Sequence, residues 1–232
     1  MGFSLRRFVL AVLSRREAAV TQSEWKRLKF TYAQEGEDII AETLLPEPKG
    51  FYVEVGAFHP VSISNTYLFY RKGWRGIVID PVPHVVELFR QRRPEDIILQ
   101  YAVSNEEGER RFDIMRSGEN NHLANGNMVS EPAKTTPLYS IQVRCRKLAS
   151  LLRENLSSDR KIDFLTIDTE GHDLNVLQSN NWREYRPRLV AVEDFLPPAQ
   201  SPVCQFMSQQ GYKPVISSKL TRFFIPAENA AP

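Results

Sequence analysis

The chain has 232 residues, of which 42% are hydrophobic and 25% charged, and its net charge is only +2. The length suits one domain with an additional helix or arm, and the charge excludes a globally basic, nucleic-acid-binding protein. The two cysteines, Cys145 and Cys204, lie in no metal-binding or redox spacing. A disulfide framework is therefore not expected, and a reducing, cytoplasmic location is predicted.

The positive charge is concentrated at the start of the chain. Residues 1–30 carry a net charge of +5, so the remainder of the chain carries −3. The apolar run Phe8–Leu13 is much shorter than the roughly 20 residues that cross a bilayer, and no small-residue cleavage site follows it. We predict a basic helical leader over residues 1–30 that docks on the body of the protein or on a partner, for example in an oligomer. Contact with a membrane surface and export are the alternatives.

Residues 31–226 form the predicted main domain, and residues 227–232 a short tail. The first half of this domain alternates between helical and strand-like hydrophobic patterns. In chain order we predict a helix at 33–45, a strand at 51–55, a helix within 62–73, a strand at 76–80, a helix at 84–93 and a strand at 96–103. Strands and helices that alternate at this rhythm predict a parallel sheet with crossover helices.

The second half of the domain begins less regularly. Residues 109–115 alternate enough to predict an edge strand, and the polar stretch 117–137 is predicted to be a functional lid or a disordered surface loop. The later predictions are a strand at 140–145, a helix at 147–155, a strand at 161–168, a helix at 172–178, a strand at 188–194, a helix at 204–210 and a terminal hairpin of 211–217 with 221–226.

Acidic side chains lie at the ends of four of the five predicted main strands. In open α/β sheets, ligands bind beyond the carboxyl ends of the strands, where these side chains meet. Burying several carboxylates side by side is costly unless they have partners, so this pattern indicates a ligand site. The acidic residues at these ends are Glu54, Asp80, Asp168, Glu170, Glu193 and Asp194.

The first strand and the turn after it lack the glycines of a dinucleotide site. Asp80 ends the second strand, where a carboxylate accepts hydrogen bonds from ribose hydroxyls, although it is also placed to cap the helix after Pro81. The turn EVGAFHP contains one glycine, Gly56, and the bulky Phe58 stands where a further glycine would approach a pyrophosphate. A ribose-binding acid without a phosphate-binding loop favours S-adenosylmethionine, which contains ribose but no phosphate.

Four stretches of the sequence resemble the FkbM family of S-adenosylmethionine-dependent methyltransferases. They are YAQEGEDII from Tyr32, the run from Gly50 to Pro81, YAVSNEEGE from Tyr101 and IDFLTIDTEGHDLNVLQ from Ile162. The resemblance implies a Rossmann-like α/β fold, with a mostly parallel sheet of seven strands, an antiparallel last strand and helices on both faces. It also implies O-methylation of hydroxyl groups on sugars, glycans or polyketides.

The resemblance assigns roles to individual residues. The donor turn comprises Glu54, Gly56 and Ala57, and Asp80 binds the ribose. Ala102, Val103 and Ser104 flank the adenine, and Gln34 and Asn65 belong to motifs that close the donor site. Asp168 faces the methionine part or the acceptor, and Glu170 and His172 face the acceptor.

Methyl transfer to a hydroxyl requires a group that removes the hydroxyl proton. A general base with a pKa near neutral suits this step, which makes His59 and His172 the first candidates. Asp168 and Glu170 are candidates for orienting that base or replacing it. Each histidine also has a structural interpretation, because His59 precedes Pro60 in a turn and His172 begins a helix.

Three other interpretations remain open. The main prediction contains no metal, but Asp168, Glu170, Glu193 and Asp194 are suitable oxygen ligands for Mg²⁺ bound near a sugar diol. A nicotinamide-dependent sugar-modifying enzyme shares the fold and Asp80 but lacks the three-glycine turn. A non-catalytic binding protein would keep the fold without turnover.

Overall fold

A computed structural model describes residues 29–116, 121–124 and 136–229 of the chain. The predicted leader, apart from its last two residues, and most of the predicted loop at 117–137 lie outside the described residues. The residues from Thr31 onward belong to one compact unit. In the described part of the chain, no helix is long and apolar enough to cross a membrane.

The unit contains eleven strands and six α-helices in its described residues. In chain order the strands are β1 (Phe51–Val55), β2 (Arg75–Ile79), β3 (Ile97–Leu99), β4 (Ala102–Val103), β5 (Gly108–Ile114), β6 (His122–Leu123), β7 (Tyr139–Arg146), β8 (Phe164–Ile167), β9 (Leu189–Glu193), β10 (Tyr212–Ser217) and β11 (Thr221–Pro226). The α-helices are α1 (Glu37–Leu44), α2 (Tyr67–Arg71), α3 (Pro83–Arg92), α4 (Leu148–Asn155), α5 (Asp173–Gln178) and α6 (Pro202–Gln209).

Seven strands form the main sheet, in the order β10-β11-β9-β8-β1-β2-β3. The pairs from β9 through β8, β1 and β2 to β3 are parallel, whereas β11 is antiparallel to both of its neighbours, β9 and β10. This arrangement confirms the predicted mostly parallel sheet of seven strands with an antiparallel last strand. The chain builds outward from β1 to β3 and then crosses to β8, so the topological switch point lies between β1 and β8.

Strand β1 is central and is buried along its whole length. It is rich in aromatic and β-branched residues, as expected for a parallel strand that is covered on both faces. In its register, Glu54 lies opposite Val78 of β2 and Thr166 of β8. A carboxylate therefore occupies the centre of the sheet, one residue before the strand ends.

The core has one layer on each face of the main sheet, which confirms the prediction of helices on both faces. One layer contains residues from α4 and α6, such as Leu151 and Met207. The other contains residues from α2 and α3, such as Phe69 and Phe89, and also the inner face of the second sheet. The periodic burial of these helices supplies the hydrophobic contact that holds them on the sheet.

A second sheet of four strands, in the order β4-β7-β5-β6, was not predicted. The strand predicted at 96–103 is divided, since β3 stays in the main sheet and β4 pairs with β7 in the second. The edge position predicted for residues 109–115 is wrong, because β5 lies between β7 and β6. Alternating hydrophobicity identifies a strand with one buried face, but it does not identify the strands on either side.

Candidate active site

A cavity of about 300 Å³ opens beyond the carboxyl ends of the main-sheet strands. Its volume falls at the lower end of the range that is usual for small-molecule sites. The structure brings together most of the predicted site residues in its lining, namely Gln34, Glu54, Gly56, Asn65, Asp80, Ala102, Val103, Asp168, Glu170 and His172. Ala57, His59 and Ser104 do not line it.

Gly56 makes the turn after β1 possible. Its φ of 82° lies in the left-handed region, and a Cβ there would lie 1.7 Å from the carbonyl oxygen of Asp168. Its own N–H donates to the Ile79 carbonyl at 3.0 Å. The glycine therefore allows the ends of β1, β2 and β8 to approach closely.

The Glu54 carboxylate is almost completely buried, with 5% of the residue exposed. Its Oε2 accepts a hydrogen bond from Thr66 Oγ1 at 2.5 Å and lies 3.5 Å from Nη1 of Arg93. Burial raises the Glu54 pKa, while Arg93 and Thr66 oppose that rise. The prediction that Glu54 belongs to the donor turn did not include these two partners.

Asp80 lies at the end of β2, as predicted. Its Oδ1 accepts a hydrogen bond from the Val82 N–H at 2.8 Å, in the turn that leads into α3. Burial raises the Asp80 pKa to about 7. The side chain thus braces the turn before α3 and also lines the cavity. The alternative in which Asp80 caps the helix is wrong, because the N-cap residue of α3 is Val82 and no side chain caps this helix.

Three carboxylates from β8 and β9 form an acidic cluster on the opposite side of the switch point. Oxygens of Asp168, Glu170 and Glu193 lie within 4.8 Å of one another. Burial, and then the neighbouring acidic groups, raise the pKa of Asp168, and the Glu193 pKa rises to about 10 for the same reasons. Carboxyls this close either share protons or bind a cation.

Asp194, the fourth residue of the predicted metal alternative, is not part of this cluster. Its Oδ2 accepts from Ser201 Oγ at 2.7 Å and lies 3.0 Å from Nε of Arg222. Its Oδ1 accepts from the Leu196 N–H at 3.2 Å. These contacts give Asp194 a role in the connection after β9.

The loop between β8 and α5 gives the acidic cluster its shape. Glu170 adopts a φ of 53°, which is uncommon for a residue with a side chain, and Gly171 follows with 85°. Asp173 holds this loop, because it accepts from the Thr169 N–H at 2.9 Å and from the Gly171 N–H at 3.2 Å. Burial raises the Asp173 pKa to about 6. The site predictions did not include Asp173, although an acid at the first position of a helix was a usable signal.

His172 lines the cavity, but its ring nitrogens face the protein. Nε2 lies 3.0 Å from Ser104 Oγ, and Nδ1 is buried with no hydrogen-bond partner among the described residues. Burial lowers the His172 pKa, so the ring is neutral around pH 7. Ser104 thereby contacts a cavity residue without lining the cavity itself.

His59 stabilises the turn that follows β1. Its Nδ1 accepts from the Val61 N–H at 3.1 Å and from the Ser62 N–H at 3.0 Å. Burial lowers its pKa as well. These contacts match the structural interpretation of this histidine, and the side chain lies outside the cavity lining.

Segments before α1 and before α2 close one side of the cavity. Asn65 Nδ2 donates to Thr166 Oγ1 at 3.1 Å, which ties the segment before α2 to β8. Gln34 lies in an exposed segment whose backbone is held by Asp38, since Asp38 Oδ2 accepts from the Tyr32 N–H at 2.7 Å. Both motifs named in the sequence thus reach the cavity.

The structure adds apolar residues that the sequence-based predictions had missed. Phe112 and Leu123 come from the second sheet, which was not predicted, so no local pattern could place them in the site. Others follow the main strands or form the rim, namely Phe58, Ile63, Tyr101, Phe195 and Leu220. Ile63 has a φ of 52°, a strained value for a β-branched residue.

Residues 54–214, more than half of the chain, match the methyltransferase FkbM domain family. The chain belongs to the FkbM methyltransferase family. The matched segment begins at Glu54, so the FkbM domain includes the turn after β1, Asp80 and the acidic cluster, while the motif around Gln34 precedes it. No curated protein is significantly similar to this FkbM chain.

Three solved structures show a distant likeness to this chain. Precorrin-6y C5,15-methyltransferase from Geobacter metallireducens GS-15 is 9% identical, with a TM-score of 0.43 over 81% of this chain and 86% of that one. A TehB-like SAM-dependent methyltransferase from Corynebacterium glutamicum ATCC 13032 Kitasato is 8% identical, with a TM-score of 0.41 over 83% and 88%. The human methyltransferase 10 domain containing protein is 8% identical, with a TM-score of 0.41 over 95% and 93%. The fold assignment of the FkbM chain rests on its strand order and not on these scores.

Proposed function

We propose that this FkbM family member is an S-adenosylmethionine-dependent O-methyltransferase that acts on a hydroxyl group of a sugar, a glycan or a related natural product. The observation that carries the proposal is the cavity at the switch point, where carboxylates replace a phosphate-binding loop. Glu54 and Asp80 line one half of it, and the acidic cluster lines the other.

The donor half fits S-adenosylmethionine by its chemistry. Asp80 offers carboxylate oxygens to ribose hydroxyls, Glu54 offers one to an ammonium group, and Ala102 and Val103 offer an apolar surface to adenine. When bound, S-adenosylmethionine supplies a methyl group on a positively charged sulfur. An acidic cavity favours such a cation.

The same turn is unsuited to a dinucleotide. The Gly56 N–H is bonded to the Ile79 carbonyl, and the Phe58 N–H donates to the Gly56 carbonyl at 3.2 Å. These N–H groups are therefore used within the protein, whereas a pyrophosphate requires N–H groups that point at the ligand. The side chain of Phe58 also lines the cavity. These features favour the methyl donor over a nicotinamide cofactor.

The acceptor half is supported by residues on the β8 and β9 side of the switch point. Asp168, Glu170 and Glu193 provide hydrogen-bond acceptors for hydroxyl groups, while Phe195 and Leu220 provide apolar contact. Phe195 is 49% exposed, so this apolar surface lies at the rim. A polyhydroxylated acceptor with an apolar face, such as a sugar ring, suits this combination.

Within this proposal the acidic cluster removes the hydroxyl proton. The cluster residues line the cavity, whereas His59 lies outside the lining and both nitrogens of His172 face the protein. A cationic ligand nearby favours the ionised carboxylates, which then accept a proton. We therefore assign the base to Asp168 and Glu170, with Glu193 beside them, and a positioning role to His172.

A second reaction mode, with Mg²⁺ bound to the same three carboxylates, is distinguished by metal removal. If the carboxylates act as acids and bases, methyl transfer persists after treatment with EDTA and is not increased by added Mg²⁺. Loss of transfer with EDTA, and recovery with Mg²⁺ alone, would replace the base assignment with a metal site.

The deciding experiment combines binding with transfer. Calorimetric titration is expected to show binding of S-adenosylmethionine and none of NAD. Radiolabelled methyl transfer to a panel of sugars, glycans and small hydroxyl compounds then identifies the acceptor. Glu193→Gln is expected to lose transfer while donor binding remains, and Glu87→Gln, an exposed site on α3, is the matched control. NAD binding would overturn the donor assignment, and donor binding without transfer to any acceptor would favour a non-catalytic protein.

The proposal also concerns where the enzyme acts and what it binds. We propose that the enzyme acts in the cytoplasm on a small-molecule or glycan acceptor and has no nucleic-acid partner. Peripheral membrane contact and self-association through the basic leader are secondary proposals, because that segment lies outside the described residues.

A further inference from the structure

A buried arginine contacts Glu54, which lines the cavity. Arg93 follows α3 and is 0% exposed. Its Nε donates to Asp96 Oδ2 at 2.8 Å, and its Nη2 donates to Tyr52 Oη and Thr66 Oγ1, both at 2.8 Å. Its Nη1 lies 3.5 Å from Glu54 Oε2. One guanidinium therefore joins β1, the residue before α2 and the turn before β3.

Burying a guanidinium group in a protein core is energetically unfavourable. Removing a charge from water costs several kcal/mol, which is offset only by good partners, and apolar side chains of similar size often stabilise as well or better. We therefore expect Arg93 to have a role other than filling space in the core. The carboxylates of Glu54 and Asp96, which Arg93 contacts, indicate that role.

The two carboxylates differ in how many of their oxygens are hydrogen-bonded within the protein. Asp96 is closed, because its oxygens accept from Tyr52 Oη, from Arg93 and from the Gly76 N–H at 2.9 Å. Glu54 lines the cavity, and only its Oε2 is engaged, by Thr66 and Arg93. Its Oε1 makes no hydrogen bond within the described part of the chain.

We propose that Arg93 is a positioning residue that acts through Thr66 and Glu54, holding one Glu54 oxygen so that the other meets the cationic amino-acid end of the methyl donor. The inference rests on the proposed function, since it concerns the donor half of that site. A carboxylate that is already held at one oxygen is ordered before the ligand binds. Binding of the donor therefore costs less side-chain conformational entropy, which favours higher affinity.

Two small ligands distinguish positioning from general stabilisation. S-adenosylhomocysteine carries the amino-acid end, whereas 5′-methylthioadenosine has the same adenosine and sulfur without it. In the full-length protein, Thr66→Val removes the hydroxyl that bonds both Glu54 and Arg93 while keeping the side-chain shape. We expect Thr66→Val, Arg93→Lys and Glu54→Gln each to weaken S-adenosylhomocysteine binding about tenfold. Binding of 5′-methylthioadenosine is expected to stay within about twofold of wild type.

Tyr52→Phe is the matched control, because Tyr52 Oη contacts Arg93 and Asp96 but has no hydrogen bond with Glu54. It is expected to lower the melting temperature and leave the ratio of the two affinities unchanged. If Arg93→Lys does not fold, the affinities of Thr66→Val and Glu54→Gln for the two ligands are sufficient to test the proposal.

A double-mutant cycle supplies the second criterion. If Thr66 acts through Glu54, Thr66→Val has no further effect in the Glu54→Gln background. The proposal is overturned if the variants weaken both ligands equally, or if the Thr66→Val effect persists without the Glu54 carboxylate. Wild-type protein that binds neither ligand would instead overturn the proposed function.

Discussion

Single residues at the strand ends determine the shape of the part of the cavity that we propose for the methyl donor. Gly56 is required because the Asp168 carbonyl occupies the space where a Cβ would lie. Asp80 braces the turn before α3 and still lines the cavity. In both cases one side chain, or its absence, links local backbone geometry to the ligand site.

Gly56→Ala should lower the free energy of unfolding by about 2–4 kcal/mol, because it adds a backbone clash to a left-handed conformation. Gly73→Ala is the matched control, since Gly73 has a φ of 90° but no described atom within 4 Å of its added Cβ. It should lose only about 1 kcal/mol. Urea unfolding measures both, and equal losses would show that the contact with Asp168 is unimportant.

Donor affinity should increase as the pH rises from 6 to 8. The Asp80 pKa is raised to about 7, so over this range the carboxyl becomes the ionised acceptor that ribose hydroxyls prefer. Calorimetric titration of S-adenosylhomocysteine measures the trend. Asp80→Asn should bind more weakly and show a flatter pH dependence, and a variant with an unchanged pH profile would contradict the role of Asp80.

Among the elements, the loop from β8 into α5 shapes the part of the cavity that we propose for the acceptor. Its left-handed residues, Glu170 and Gly171, require external support, and Asp173 supplies it through backbone hydrogen bonds. Strands β8 and β9 place Asp168 and Glu193 side by side because they are adjacent parallel strands. Element packing, more than any single motif, therefore creates the acidic cluster.

Asp173→Ala should reduce turnover strongly while donor binding changes little, because the loop that carries Glu170 loses its acceptors. Stability should fall by about 1–3 kcal/mol. Ser201→Ala is the comparison, since Ser201 caps α6 by accepting from the Cys204 N–H at 2.9 Å. That change should cost about 1 kcal/mol without altering turnover. Steady-state kinetics and urea unfolding separate the two effects, and similar kinetics would refute the loop's role.

At the scale of the whole molecule, the five carboxyl groups that line one cavity make the stability of the protein depend on pH and on ligand binding. The cavity is lined mainly by the ends of the main-sheet strands, by the loops that follow them and by residues of the second sheet, and burial raises the pKa of several of its carboxyls. The free energy of unfolding of the ligand-free protein should therefore fall as the pH rises, because these buried carboxyls must then ionise in the folded state.

Between pH 7 and 8.5 the free energy of unfolding should fall by about 1 kcal/mol per pH unit. The Glu193 pKa of about 10 in the folded state lies above that of the unfolded chain, so its stabilisation is complete in acid and is lost as the pH rises. His59 and His172, whose lowered pKa values act in the opposite direction, are mostly neutral in both states over this range. Chemical unfolding of wild type and Glu193→Gln tests this, because the variant should show a flatter profile.

The sequence by itself determined the alternation of strands and helices, a parallel sheet with crossover helices and the placement of Glu54, Asp80 and Asp168 at strand ends. These features follow from hydrophobic periodicity and from the rules of parallel sheets, both of which are readable along the chain. Only the tertiary structure decided the second sheet, the buried Arg93, the inward-facing nitrogens of His172 and the separation of Asp194 from the acidic cluster. Each of these depends on contacts between residues far apart in the sequence, which no local pattern specifies.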